Sequence, residues 1–167
     1  RVTPITATSL VTLALLGAGD RALSLDETAR AVQSLCDYVR RRKLPTTESP
    51  ELDTPDGIAR VLGGLIENGI VTSYAGGPET VYAIGQEQHL AAAYYRNTVI
   101  HFFVNAAIVE LALQGAAGAE GDVGERFWDE TARLRDLLKF EFFFADRETF
   151  RAEIEEELAL QDPRWRD

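Results

Sequence analysis

The sequence predicts a mainly α-helical protein with a single β-hairpin. Helical spacing of apolar residues and N-cap signals recur along most of the chain, whereas strand-like patterning is confined to residues 70–74 and 80–84. Three helices followed by a hairpin is the element order of a winged helix. We therefore predict a winged-helix-like subdomain at residues 1–85 and a helical subdomain at 86–167. The second would be built on a long helix at 87–113, with the C-terminal helices packed antiparallel to it.

The first two helices are predicted from their N-terminal signals. Thr6 or Thr8 would cap a short apolar helix that stops at a glycine. Ser24 and Glu27 have the spacing of a capping box, in which each side chain accepts a hydrogen bond from the other residue's backbone N–H. This box would start a second helix that ends in the cationic run 40–43, where the helix dipole favours positive charge.

The third helix is predicted to begin at Pro55, with Thr54 as its N-cap. It would end near Asn68, where the pattern changes to that of the hairpin strands. Gly63 and Gly64 lie inside this helix and lack side chains. We expect them to let another helix approach closely.

The predicted long helix at 87–113 contains no Gly or Pro and is apolar on almost every side. Asn97, His101 and Asn105 recur every fourth residue and form a polar line along it. Because a helix that is apolar all round is normally buried, we expect this line and the neighbouring Arg96 to be buried. A buried arginine needs a carboxylate or other hydrogen-bond partners, so we expect them for Arg96 and a hydrogen-bonded core position for His101.

Two further helices are predicted after a connector at residues 115–124. The apolar residues that suggest the first are Phe127, Trp128, Ala132, Leu134, Leu138 and Phe142. The second would span 147–160 with Asp146 as its cap. The acidic run 153–157 is interpreted as the solvated face of that last helix. Its inward positions would be Phe150, Ile154 and Leu158. An aromatic cluster comprises Phe140, Phe142, Phe143, Phe144 and Phe150.

Composition excludes several classes of protein. The formal charge of −10 opposes nonspecific binding to nucleic acid or to an anionic membrane surface. No run of about 18 apolar residues is present, so we expect any membrane contact to be peripheral. The lone Cys36 cannot form an intramolecular disulfide and is expected to be a buried structural thiol in a reducing cytosol. The chain has no Met and begins with Arg1, so we expect a longer natural protein.

The string YYRN at residues 94–97, followed by IHFF at 100–103, resembles a segment near the C-terminus of the large, membrane-associated bacterial glycerol-3-phosphate 1-O-acyltransferases. RVTP at residues 1–4 and LKFEFFF at 138–144 resemble other segments of that family. The resemblance therefore covers nearly the whole chain. The motif residues it singles out are Tyr94, Tyr95, Arg96, Asn97 and His101.

The resemblance implies a C-terminal, non-catalytic supporting domain. The whole enzyme would acylate the sn-1 hydroxyl of glycerol 3-phosphate from acyl-CoA or acyl-carrier protein, for phospholipid biosynthesis at the cytoplasmic face of the membrane. The family's catalytic HxxxxD pair is absent, since Tyr94 lies five residues after His89 and Ala106 five residues after His101. The resemblance thus implies an inactive fragment with no catalytic residue or cofactor. The spacing of His, Cys and carboxylates predicts no metal site, since His89 and His101 lie twelve residues apart. Its partner would be the upstream catalytic domain, and its motif residues would be structural.

Alternative interpretations remain open at the level of sequence. Arg96 could contact a substrate phosphate and His101 could act as a general base, while the run 40–43 could contact lipid headgroups or acyl-carrier protein. A different class of protein is a DNA-binding regulator, with a winged helix followed by a helical dimerisation domain. Its recognition helix, 55–68, would carry a single basic residue, which argues against nucleic-acid binding. A pure interaction scaffold would differ from the enzyme domain only in lacking an upstream HxxxxD motif.

Overall fold

The computed structural model describes residues 3–117 and 121–165, which contain seven α-helices and one small antiparallel sheet. The predicted mainly helical fold class is therefore confirmed. The chain divides into two compact units, Arg1–Ile100 and His101–Asp167. This division lies inside the stretch predicted to be one long helix. The separate folding of residues 1–85 stays a prediction.

The N-terminal unit is a winged-helix arrangement with one additional helix. Its sheet contains β1 (Leu23–Ser24), β2 (Thr72–Tyr74) and β3 (Val81–Ala83) in the order β1-β3-β2, with all neighbours antiparallel. Tyr82 of β3 is paired with Leu23 on one side and Ser73 on the other. The first strand was missed in the sequence because it is only two residues long. The elements of this unit are α1 (Ala7–Gly17), β1 (Leu23–Ser24), α2 (Leu25–Arg41), α3 (Pro55–Glu67), β2 (Thr72–Tyr74), β3 (Val81–Ala83) and α4 (His89–Val99).

The predicted N-caps of this unit are confirmed. Thr6 caps α1 in a capping box with Ser9. At the start of α2, Ser24 N–H donates to Glu27 Oε2 over 3.0 Å and Glu27 N–H donates to Ser24 Oγ over 3.2 Å. Thr54 Oγ1 accepts from Gly57 N–H over 3.1 Å at the start of α3. Each cap satisfies backbone donors that a helix N-terminus otherwise leaves without partners.

The core of the N-terminal unit lies where α1 packs against α2, α3 and α4. Its most completely buried side chains belong to one or two positions per helix turn, as an amphipathic helix requires. Those at 0% exposure are Val11, Thr12, Thr28, Val32, Ile58, Leu62, Ala92 and Val99.

The expectation that Gly63 and Gly64 admit a neighbouring helix is wrong. A Cβ at either position would meet nothing within 4 Å among the described residues. The close approach is at Gly57, where a Cβ would lie 2.6 Å from the carbonyl carbon of Glu51. The absence of a side chain at Gly57 therefore allows α3 to pack closely against the 3₁₀ turn Pro50–Asp53.

The prediction of a single long helix at 87–113 is also wrong. Helix α4 ends at Val99, a 3₁₀ turn occupies Ile100–Phe102, and α5 begins at Val104. β-branched and aromatic residues dominate this stretch and are weak helix formers. In addition, the Thr98 hydroxyl donates to the Tyr95 carbonyl over 2.7 Å, which competes with the backbone hydrogen bonds of the helix.

The C-terminal unit consists of three helices, α5 (Val104–Ala117), α6 (Val123–Leu138) and α7 (Arg147–Gln161). Helix α5 packs against both of the others. The predicted connector at 115–124 falls partly on residues 118–120, outside the described residues. The buried apolar side chains of the unit are Val104, Ile108, Val109, Ala112, Ala116, Phe127, Leu134, Phe150, Ile154 and Leu158.

Helix α7 has the predicted cap and inner face, but its acidic run is not uniformly solvated. Asp146 accepts from the backbone N–H groups of Glu148 and Thr149, as predicted for an N-cap. Glu157 is only 1% exposed, because it follows Ile154 by three residues and so shares the inner stripe. Glu153 is half-buried and accepts from Asn105 Nδ2 over 3.0 Å.

The predicted aromatic cluster divides into buried and exposed members. Phe150 is buried and meets Phe144 edge to face, with 5.4 Å between ring centroids. Phe140 and Phe143 are 85% and 99% exposed on the segment between α6 and α7.

Candidate functional site

Two of the motif residues, Tyr94 and Asn97, lie on the outer side of α4. The inner side of this helix is Ala92 and Val99, both fully buried. Leu90, Tyr94 and Asn97 are spaced four and three residues apart, so they share the opposite side. Leu90 is 86% exposed and Tyr94 is 70% exposed. We call these three residues the motif face, and we include Arg96 because its side chain is exposed and donates to Asn97.

The tyrosines and Arg96 make mostly local contacts. The rings of Tyr94 and Tyr95 pack edge to face, with centroids 5.6 Å apart and an interplanar angle of 87°. Arg96 is exposed, and its Nε and Nη2 both donate to Asn97 Oδ1 over 3.1 Å. The predicted burial of Arg96 is therefore wrong, and among residues 3–117 and 121–165 its side chain bonds to the adjacent Asn97 and forms no salt bridge. An exposed guanidinium keeps its hydration and does not need a carboxylate.

His101 is exposed as well, so the predicted core histidine is wrong. It lies in the 3₁₀ turn, with its ring 4.0 Å from that of Phe102 and tilted by 38°. The helix break removes the buried environment that an uninterrupted apolar helix would have given it. The polar line is therefore exposed at Asn97 and His101 and half-buried at Asn105.

No constellation of reactive groups is assembled at the motif face. Neither histidine is followed at the fifth place by Asp, and the described part of the chain contains no group of three His, Cys, Asp or Glu side chains able to hold a metal ion. The one thiol, Cys36, is half-buried, and this desolvation raises its pKa. A raised pKa disfavours the nucleophilic thiolate.

The cationic run at the end of α2 borders a groove of about 460 Å³ in the N-terminal unit. Arg40 Nη2 lies 3.4 Å from Asp37 Oδ1, and its Nε donates to the Cys36 carbonyl. Lys43 has a φ of 51° and stands where helices ordinarily place glycine, while Leu44 N–H donates to the Val39 carbonyl. These contacts describe a helix end, and the proposed contact with lipid or carrier protein stays a prediction.

A second groove, of about 280 Å³, lies in the C-terminal unit between α6 and α7. Arg135, Arg147 and Arg151 line it together with Trp128 and Phe150. Sequence reasoning missed this groove because Arg135 is remote in sequence from the other two arginines. The spacing of Arg147 and Arg151 on one helix face was the only local signal.

Among the described residues, no single helix is long and apolar enough to cross a bilayer. The helices on the two sides of the break, Gln86–Phe102 and Val104–Ala117, meet that criterion only when taken together.

Comparison with known proteins identifies relatives along the whole chain. The family model described as the glycerol-3-phosphate acyltransferase C-terminal region matches residues 1–165. Two similar proteins, each called putative acyltransferase plsB1, come from Mycobacterium bovis and Mycobacterium tuberculosis. Each is 42% identical over 163 residues, which make up 96% of this chain and 26% of the relative. The chain thus spans about a quarter of the length of these relatives.

Proposed function

The chain belongs to the glycerol-3-phosphate acyltransferase C-terminal region family, and from this premise we propose that it is the non-catalytic supporting domain of a longer acyltransferase. The reaction proposed for that enzyme is transfer of an acyl group from acyl-CoA or acyl-carrier protein to the sn-1 hydroxyl of glycerol 3-phosphate. The observation that carries this proposal is the family match over residues 1–165 in a chain without an HxxxxD pair. A general base would have to come from elsewhere in the longer protein.

The motif face suggests how the domain would support catalysis. Three of the motif residues, Tyr94, Arg96 and Asn97, are exposed and contribute little to the core. Leu90 and Tyr94 are exposed beside the hydrogen-bonded pair of Arg96 and Asn97. An apolar centre with a polar rim is typical of a protein contact surface. The relatives extend well beyond the matched part, so the longer protein has ample chain to cover this surface. In our proposal the upstream catalytic domain docks on the motif face.

The proposed partners and location follow from the same function. Acyl donor and glycerol 3-phosphate would bind the upstream domain, and the longer protein would associate peripherally with the cytoplasmic face of the membrane. Phospholipid biosynthesis would be its pathway. No nucleic-acid partner is proposed.

The DNA-binding alternative is disfavoured by the composition of α3. The N-terminal unit does have the three helices and three strands of a winged helix. However, the helix that would enter the major groove carries Arg60 as its single basic residue, against Asp56 and Glu67. Phosphate contacts need several cations, because they supply most of the affinity for DNA. A salt-sensitive shift of duplex DNA by the chain would restore this alternative.

The proposed docking is tested by a matched pair of tyrosine variants in the longer protein. Tyr94→Ala removes the centre of the motif face, whereas Tyr74→Ala removes a tyrosine of similar exposure, 67%, from strand β2. Acylation of glycerol 3-phosphate is measured for both. We expect Tyr94→Ala to lower kcat/KM by about tenfold, through loss of an interface anchor that positions the catalytic domain, and Tyr74→Ala to leave it unchanged.

Two results would contradict the proposal. Equal activity of the two variants would mean that the motif face does not contact the catalytic domain. Acyl transfer by the 167-residue chain on its own would mean that the domain is itself catalytic.

A further inference from the structure

The groove between α6 and α7 concentrates positive charge in an acidic protein. Three arginines and one carboxylate, Asp136, line it, although the whole chain has a formal charge of −10. Asp136 Oδ1 lies 3.5 Å from Lys139 Nζ. The negative charge of Asp136 is therefore partly neutralised by a cation that does not line the groove. The groove itself therefore has an excess of positive charge.

Two of the arginines lack a carboxylate partner. Neither Arg135 nor Arg147 forms a salt bridge in the part of the chain that the structure describes, and only Arg151 does, with 3.5 Å between its Nε and Glu155 Oε1. Arg147 is the first residue of α7, where the helix dipole disfavours a cation. A negatively charged ligand would remove both unfavourable features.

Aromatic rings hold two of the guanidinium groups in place. The Arg135 Cζ lies 5.4 Å from the centroid of the Phe150 ring, and its Nη2 donates to the Ala145 carbonyl over 2.7 Å. Its Nε is buried and makes no hydrogen bond with any described residue. The Arg151 Cζ lies 3.9 Å above the centroid of the Trp128 ring. Arginines fixed in this way lose less conformational freedom when they bind an anion.

We propose that this groove, formed by Arg135, Arg147 and Arg151, binds a phosphate monoester group. Guanidinium groups match the geometry of phosphate oxygens through paired N–H donors. The volume of about 280 Å³ lies just below the ~300 Å³ lower end of ligand pockets, so it suits a phosphate with a small substituent rather than a whole nucleotide cofactor. A small phosphorylated metabolite and a phosphatidic acid headgroup share this chemistry. The inference does not rest on the proposed function, since its test measures binding and no acyl transfer.

The first test is calorimetric titration of the chain with inorganic phosphate. Arg147→Gln removes an exposed groove cation and is expected to weaken phosphate binding by about tenfold. Arg133→Gln is the matched control, since Arg133 lies on α6 and pairs with Glu130 over 2.7 Å, outside the groove lining. We expect this control to bind phosphate as the unsubstituted chain does. Arg151→Gln, expected to act like Arg147→Gln, provides a second groove variant.

The second test separates the two sources of the phosphate. The chain is sedimented with phosphatidylcholine vesicles, with and without phosphatidic acid. If the chain sediments only with vesicles that contain phosphatidic acid, and inorganic phosphate reverses this, the ligand is a lipid headgroup. If the chain binds inorganic phosphate but does not sediment with the vesicles, the ligand is a soluble metabolite. The proposal is overturned if the chain binds no inorganic phosphate, or if Arg133→Gln weakens binding as much as Arg147→Gln.

Discussion

Replacement of Gly57 by alanine should destabilise the protein through a backbone clash. The new Cβ would lie 2.6 Å from the carbonyl carbon and 2.7 Å from the Cα of Glu51, whereas real Cβ contacts essentially never fall below 3.0 Å. The turn Pro50–Asp53 cannot move away without cost, because Leu52 is buried and its carbonyl accepts from Gln33 Nε2 over 2.5 Å. Overpacking of this kind costs about 1–3 kcal/mol. We expect a loss of about 2 kcal/mol in the free energy of unfolding.

The same substitution in the same helix provides the control. Gly64 has no neighbour within 4 Å of an added Cβ, so Gly64→Ala should stabilise α3 by about 0.5–1 kcal/mol through its higher helix propensity. Urea unfolding followed by circular dichroism gives both free energies. A Gly57→Ala variant as stable as the unsubstituted chain would contradict the clash with Glu51. A loss at Gly64 would contradict the open space around its added Cβ, and would support the close helix approach that the sequence suggested.

Three further predictions concern helix ends. Lys43→Gly should stabilise the protein by about 0.5–1 kcal/mol in urea unfolding, because it relieves a φ of 51° at the end of α2, whereas Lys43→Ala should not stabilise it. Ser24→Ala should cost about 1 kcal/mol in the same assay, because it removes the hydroxyl that caps α2. The backbone N–H and hydroxyl of Thr149 lower the pKa of Asp146 below its ordinary value of 3.8. Its carboxylate therefore stabilises the fold fully at pH values above 3.8, and this stabilisation is lost as the pH falls through the lowered pKa. Asp146→Asn, which caps without titrating, should therefore flatten the fall in melting temperature in acid; an unchanged acid profile would contradict the assignment.

Local signals were sufficient to predict most of the helix starts. The caps at Thr6, Ser24, Thr54 and Asp146 each involve a side chain and a backbone N–H within three residues, so the sequence alone contains the whole interaction. The hairpin was likewise visible from its alternation. Strand β1 was not, because two residues have no periodicity and their pairing with β3 depends on residues far along the chain.

The wrong predictions have two physical causes. The apolar character of an uninterrupted helix predicts burial of Arg96 and His101, but the helix breaks after Val99. The sequence also predicts a packing role for Gly63 and Gly64, but what a Cβ meets depends on tertiary neighbours. The motif identified the family correctly, while the burial argument for its structural role does not hold. An exposed motif face instead favours a role in contact with the remainder of a longer protein.

The docking of the motif face is tested most directly by tyrosine nitration read out by mass spectrometry. The measurement compares the 167-residue chain with the longer protein, at Tyr94 and at the similarly exposed Tyr74. We predict that Tyr94 is nitrated in the chain and protected in the longer protein, while Tyr74 is nitrated in both. Equal nitration of Tyr94 in the two proteins would contradict the docking of a catalytic domain on this face.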